Sequence, residues 1–266
     1  MLFDGRASSS GRERGKEGLN IENHSHNKQQ GGTGKTTVTT QLAYSLMLTG
    51  YSTVAVDLDS QCNLTTALPR QRVAGNALDL VEAEEPPEFR AAPGELVLIE
   101  GHADMPVVRD DAILRNTAGA LRGLKGAGFC IIDTPPTYSA TVYGAMLAAD
   151  YILAPIELKR FSVDGIKTVL KALVEVREIN PDVKFLGLLP SRFDAVKEME
   201  REPLRVMAAE FPQLIIPHAI RNRTAYEKAE AEGMPVSEVS SRSGREAAAE
   251  FQAFFEWFLE NVEAGR

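Results

Sequence analysis

Residues 31–37, Gly31-Gly32-Thr33-Gly34-Lys35-Thr36-Thr37, have the composition of a loop that wraps an anion and then runs into a helix. The glycines let the backbone fold tightly, so that several N–H groups can converge on one charge. Lys35 adds a mobile positive charge suited to the β- and γ-phosphates of a nucleotide, and the Thr36 hydroxyl is placed to ligate Mg²⁺. The helix N-terminus beyond contributes a partial positive charge of its own. The general phosphate-loop pattern places a glycine five residues before Gly34, where this chain has Gln29. The match is therefore to a variant loop, in which a basic residue normally stands directly before the paired glycines. Gln30 occupies that place here.

A nucleotide–metal site also needs acids. The apolar run Thr53-Val54-Ala55-Val56 ends at Asp57, and Phe129-Cys130-Ile131-Ile132 ends at Asp133. Parallel sheets place their ligands at the carboxyl ends of such strands. Asp133 is the expected partner of Mg²⁺, directly or through water. Asp59, two residues past its strand, could orient or deprotonate a water near the γ-phosphate. Asp57 and Asp59 could instead only cap the short turn at 60–65. The glycine loop one helix upstream favours the site.

These residues require elements to carry them. Val38, Leu42, Leu46 and Met47 share a helical face, with Gly50 as the stop, which predicts a helix over 36–49. Further helices are predicted over 77–83, 110–124, 139–148, 163–179, 203–211, 223–232 and 245–262. Strands are predicted over 53–57, 96–99, 129–132, 151–155, 184–189 and 214–216. The alternation implies an α/β fold: a mostly parallel twisted sheet flanked by helices on both faces, in three α/β/α layers. The stretch 69–94, with four prolines, reads as loop around the short helix.

With 266 residues, 44% hydrophobic and 25% charged, the chain has the balance of an ordinary soluble globular domain. Its two cysteines, Cys62 and Cys130, cannot build a disulfide framework or a four-thiolate metal site, which fits a reducing cytoplasm. A net charge of −8 argues against a nucleic-acid binder held by bulk electrostatics and leaves DNA contact to a local patch. No 18-residue apolar span or signal-peptide core is visible, so no membrane crossing is expected.

Residues 1–28 are polar and aperiodic and are expected to be disordered or atypical, with the domain proper spanning 29–266. The segment Glu22-Asn23-His24-Ser25-His26-Asn27-Lys28 stands where a buried apolar strand should lead into the loop. It reads as a replaced or degenerate N-terminus. The His24/His26 pair lacks further metal ligands nearby.

In order and spacing, Gly31–Thr37, Asp57-Leu58-Asp59-Ser60-Gln61-Cys62-Asn63 and Asp133-Thr134-Pro135-Pro136 resemble the ParA/Soj partition ATPases, P-loop NTPases with a deviant Walker A loop and relatives of MinD. Later stretches extend the resemblance: Ala154-Pro155-Ile156 with Phe161–Gly165, Gly187–Asp194, and Ile216-Pro217 through Glu230-Ala231. The resemblance implies ATP and Mg²⁺ as cofactors. It implies that Gly31, Gly32, Thr33, Gly34 and Lys35 bind phosphate, Thr36 ligates Mg²⁺ and Thr37 touches the α-phosphate. Asp59 matches the hydrolytic aspartate, Asp57 supports the metal's ligands and Asp133 is the second acidic motif. Gln30 and Gly31 match positions where two protomers meet across their nucleotides. Gln30 replaces the signature lysine that reaches the partner's nucleotide, so hydrolysis is expected to be weak or impaired.

The resemblance further implies a homodimer on ATP binding, a ParB-type centromere-binding partner and nonspecific DNA binding, with a cytoplasmic location on nucleoid or plasmid. Arg221 and Arg223 are the candidate DNA contacts, although Glu227, Glu230 and Glu232 lie close by. Two other roles compete with partition. One is a poorly hydrolysing DNA-binding or regulatory homologue. The other is a MinD-like membrane-positioning ATPase, against which the acidic polar face of the aromatic C-terminal helix argues. That helix is expected to pack on the core.

Overall fold

Strands that read as unbroken apolar runs must be covered on both faces. The computed structural model describes residues 2–4, 34–82, 86–158, 163–194 and 198–264 and provides that cover. Among the described residues eight strands form one sheet. They are β1 (Leu2–Asp4), β2 (Thr53–Asp57), β3 (Arg72–Asn76), β4 (Leu96–Glu100), β5 (Phe129–Asp133), β6 (Tyr151–Ile156), β7 (Lys184–Phe193) and β8 (Ile220–Arg221). Their order is β3-β4-β2-β5-β1-β6-β7-β8, and the pairings are parallel except those of β1. β2 and β5 pair from Thr53↔Phe129 to Asp57↔Asp133, which finishes the two acid-ended strands side by side.

The helices are α1 (Lys35–Leu48), α2 (Asn63–Ala67), α3 (Ala77–Glu82), α4 (Asp111–Gly123), α5 (Ala140–Ala148), α6 (Val163–Ile179), α7 (Glu198–Glu210), α8 (Thr224–Glu232) and α9 (Arg242–Glu263). Alternate side chains of β5 enter opposite layers, as the period of two demands. Phe129 and Ile131 pack with Val38, Leu42 and Leu46 of α1 and with the aromatic face of α9. Cys130 and Ile132 pack with Ala120 and Leu121 of α4 and Ala145 of α5. Cys130 is a buried small hydrophobe, its thiol pushed up to about 12 by burial. Each fully buried Leu, Ile or Phe contributes roughly 1.5–3 kcal/mol against entropy losses of similar total size.

α1 ends as its sequence suggests. Gly50 takes φ 95°, its N–H donates to Met47 O, and Tyr51 N–H donates to Leu46 O. That doubly bonded stop needs a residue at ease with positive φ. α1 is also buried more broadly than one apolar stripe, because Thr39, Thr40, Gln41, Ala43 and Tyr44 are covered too. α9 buries Phe251, Phe254, Phe255, Phe258 and Val262, so its apolar face is spent on the core. Among the described residues no helix is long and apolar enough to cross a membrane.

The structure departs from the sequence reading in several places. Leu2–Asp4 form β1, antiparallel between β5 and β6, where the reading of 1–28 had no strand. An interior sheet slot must pair its N–H and C=O groups, and the Leu2-Phe3 run is apolar enough to enter it. The predicted strand 214–216 reduces to a single bridge, Leu188↔Ile215. Pro217 follows it and has no N–H to continue a ladder. β3 lies inside the stretch read as loop; it is an edge strand with Val73 46% exposed, so it lacks an apolar run. α7 begins at Glu198 and runs through Pro203, near which the sequence reading had started it.

Candidate nucleotide and metal site

Gly34 is the N-cap of α1 at φ 78°, a conformation that L side chains avoid. A Cβ there would stand 3.2 Å from Cβ of Ser191, so space and backbone both demand glycine. Gly34 brings no side chain to cap the first-turn N–H groups of α1. Gln30, Gly31, Gly32 and Thr33 lie outside the described residues. Gly34 is the first residue of the glycine-rich stretch that is described.

Behind that turn stand the acids. The Thr36 hydroxyl donates to Oδ2 of Asp133 at 2.7 Å, and the Thr39 hydroxyl donates to Oδ1 at 3.4 Å. Burial pushes the Asp133 carboxyl up to about 6; the Thr36 hydrogen bond and Lys35 lower it, while Asp57 and Asp59 raise it. Burial also lowers the Lys35 ammonium below its usual range, against the attraction of Asp133 and Asp59. These opposed shifts describe a buried acid cluster whose charge one lysine only partly balances.

Asp57 is fixed from several directions. Its Oδ2 accepts the Thr65 N–H at 2.9 Å and the Thr65 hydroxyl at 2.8 Å, and its Oδ1 accepts the Asp59 N–H at 3.1 Å. Thr65 in turn accepts the Gly101 N–H at 2.8 Å, tying α2 to the end of β4. Burial raises the Asp57 carboxyl, with the Thr65 and Asp59 hydrogen bonds opposing it. Asp59 is 8% exposed, and its Oδ1 accepts the Gln61 N–H at 3.0 Å. The turn-capping role considered for these two acids is present, and Asp59 also acts electrostatically on Lys35.

The residues present suit Mg²⁺. The Thr36 hydroxyl and the Asp133 carboxylate supply adjacent oxygens, and an acid pushed up by burial gains from a neighbouring cation. Among the described residues no group of three or more His, Cys, Asp or Glu could hold a metal ion by itself. Mg²⁺ needs no such cage, since it is bound through one or two carboxylates with water and substrate phosphates.

The opposite side of the α1 turn differs. The Thr37 hydroxyl donates to Oε1 of Glu230 at 2.5 Å. Glu230 belongs to α8, and burial raises its carboxyl, opposed by the Thr37 hydrogen bond and Arg192. Arg223 reaches Glu246 at 2.6 Å and Glu250 at 3.4 Å, and its side chain is only 15% exposed. Arg221 Nε stands 3.4 Å from the same Glu250, whose Oε1 also accepts the Arg221 N–H at 2.7 Å. Both arginines are thus tied to α9.

The structure brings Lys35, Thr36, Asp57, Asp59 and Asp133 together at the ends of β2 and β5. It sets Thr37 toward Glu230 and holds Arg221 and Arg223 apart from the acid cluster. Sequence reasoning missed the roles of Thr65, Gly101 and Glu230. Glu230 did leave a signal: it stands four residues after Tyr226, on the face of α8 that the ring and Ala229 bury.

A family model described as an AAA domain matches residues 24–185, more than half of the chain. Protein IncC of Escherichia coli is 32% identical over 244 residues, covering 88% of this chain and 68% of the relative. The chromosome partitioning protein ParA of Caulobacter vibrioides is 26% identical over 222 residues, covering 78% of this chain and 83% of that protein. Among solved structures, cobyrinic acid a,c-diamide synthase from Mycobacterium smegmatis, with bound ATP analog and magnesium, superimposes with a TM-score of 0.69. It is 22% identical, with 90% of this chain and 95% of that chain covered, a likeness of fold. Loop, acids and relatives converge, and the chain belongs to the ParA-type partition ATPases of the AAA-domain family.

Proposed function

We propose that this protein binds Mg·ATP, hydrolyses it slowly, and acts as a nucleotide-dependent dimer in the partition of a plasmid or chromosome. The observation that carries the reading is the Thr36–Asp133 hydrogen bond beside Lys35, at the carboxyl edge where β2 and β5 end together. Mg²⁺, when bound, would neutralise charge on the β- and γ-phosphates. Thr36 and Asp133 are the residues to hold it, with Asp57 bracing the loop behind them. Lys35 binds the phosphate oxygens and stabilises charge that grows as the terminal phosphoryl group leaves. Asp59 is held by its turn close to Lys35 and is the carboxylate to orient the attacking water and accept its proton.

Gln30 sets the pace in this reading. A glutamine offers a hydrogen bond where a lysine would offer charge across the dimer, so turnover is slow. Gln30→Lys raises ATP turnover by about tenfold or more if that deficit is real. Unchanged turnover refutes it. This substitution also favours or removes the second reading, a regulatory homologue that binds nucleotide and DNA with little hydrolysis.

The relatives' names support partition as the setting, and a ParB-type protein and nonspecific DNA are the partners that this reading adds. The ion pairs of Arg221 and Arg223 with Glu246 and Glu250 give no support to those arginines as the DNA surface. The packed apolar face of α9 gives none to a membrane anchor. ATP turnover measured with and without DNA tests the reading: stimulation supports a DNA-coupled ATPase, and absence of any turnover leaves the regulatory alternative.

A further inference from the structure

The Thr37–Glu230 contact involves none of Asp57, Asp59 and Asp133. Thr37 lies in the first turn of α1, directly after the threonine that bonds Asp133. Its hydroxyl carries one proton, donated at 2.5 Å to Oε1 of Glu230. A phosphate oxygen asking for that proton must displace the carboxylate. Glu230 is not a loose surface acid, because its helix face is anchored by Tyr226, 5% exposed, and Ala229, which is fully covered. A small cavity lies beside this contact, lined in part by Gly34, Ser191, Arg192, Asn222 and Glu227. Arg192 attenuates the charge of Glu230, while Glu227 adds to the negative charge around it. A carboxylate at the start of a helix enjoys the same dipole that favours a phosphate, so the two are rivals for one place.

We propose that Glu230 weakens nucleotide binding by competing with phosphate for the Thr37 hydroxyl. The proposal rests on the nucleotide reading above. It makes affinity depend on a residue of α8, an element that also packs on α2, the helix tied to Asp57 through Thr65. Nucleotide that wins Thr37 releases Glu230, while the apolar packing of α1 near Ala225, Tyr226 and Ala229 stays in place.

The test is calorimetric titration of Mg·ADP and Mg·ATP into the full chain, the Glu230→Gln variant, Thr37→Val, and the double variant. Glutamine keeps the shape and can still accept from Thr37, but it carries no charge to oppose a phosphate. Glu230→Gln should bind both nucleotides on the order of tenfold more tightly, and the gain should vanish in the Thr37→Val background. Equal affinity overturns the competition, and weaker affinity overturns it by making Glu230 a nucleotide contact. Glu230→Ala must shift affinity in the same direction as Glu230→Gln, which separates charge from the new amide; the opposite direction overturns the proposal. If neither the parent nor any variant binds nucleotide, the nucleotide reading itself falls. Equal binding by parent and Glu230→Gln removes the competition alone.

Discussion

The two sides of the α1 N-terminus handle charge in opposite ways. On the β2–β5 side, Asp57, Asp59 and Asp133 are held mainly by neutral donors, the Thr36, Thr39 and Thr65 hydroxyls and the backbone N–H groups of Asp59, Thr65 and Gln61. Neutral donors fix a carboxylate without cancelling its charge. On the β7–β8 side, Arg221 and Arg223 are met by Glu246 and Glu250, so opposite charges are already matched within the chain. The first side retains a demand for cation, whereas on the second the charges of Arg221 and Arg223 are already spent within the chain. An unbalanced cluster points to a ligand; a balanced one points to architecture.

The largest expected effect belongs to the unbalanced side. Asp59→Ala should lower ATP turnover by about 100-fold or more while leaving Mg·ATP binding within a few fold, as read by steady-state turnover and calorimetry. Loss of binding in parallel with turnover would make Asp59 a structural cap and blur the comparison. Asp133→Asn sharpens it through stability. The Asp133 carboxyl is raised to about 6 in the fold, above its unfolded value. Its favourable contribution is therefore full below about pH 4 and is lost as pH rises through about 6. Without Mg²⁺ at pH 8, the variant should be more stable than the parent by about 1–3 kcal/mol in urea unfolding, an advantage gone at pH 4. An advantage independent of pH would mean that Asp133 bears no unbalanced charge.

Gly101→Ala tests how tightly the acids are braced. A Cβ there would stand 2.9 Å from Cγ and Oδ2 of Asp57 and 3.1 Å from Sγ of Cys62. The variant should lose about 1–3 kcal/mol of stability, whereas an unchanged urea midpoint would show that the Asp57 loop yields. On the balanced side, Arg223→Ala leaves two glutamates without their covered partner and should cost about 1–3 kcal/mol. Arg221→Ala, at an arginine 53% exposed, should cost less than about 1 kcal/mol. Equal losses would erase the distinction between the two arginines.

Most of the acid side was legible because its residues follow a rule of spacing: a glycine-rich turn, then apolar strands ending in Asp57 and Asp133. Burial on both faces writes the central strands into sequence as apolar runs, as 53–57 and 129–132 show. Edge elements carry no such mark. β3 exposes Val73 and hides among prolines, and the Ile215 bridge is too short to be separated from a true strand. β1 escaped because a two-residue apolar run gives no period to read. Thr65, Gly101 and Glu230 act through contacts 8, 36 and 193 residues away in sequence, which spacing within a segment cannot reveal.

Affinity for ATP, measured with Mg²⁺ and with the metal chelated, reads the central claim most directly when parent and Lys35→Ala are compared. The account predicts that the parent binds ATP tightly only with Mg²⁺ and that Lys35→Ala weakens binding by about 100-fold or more. Binding that ignores the metal, or a Lys35→Ala variant indistinguishable from the parent, would contradict it.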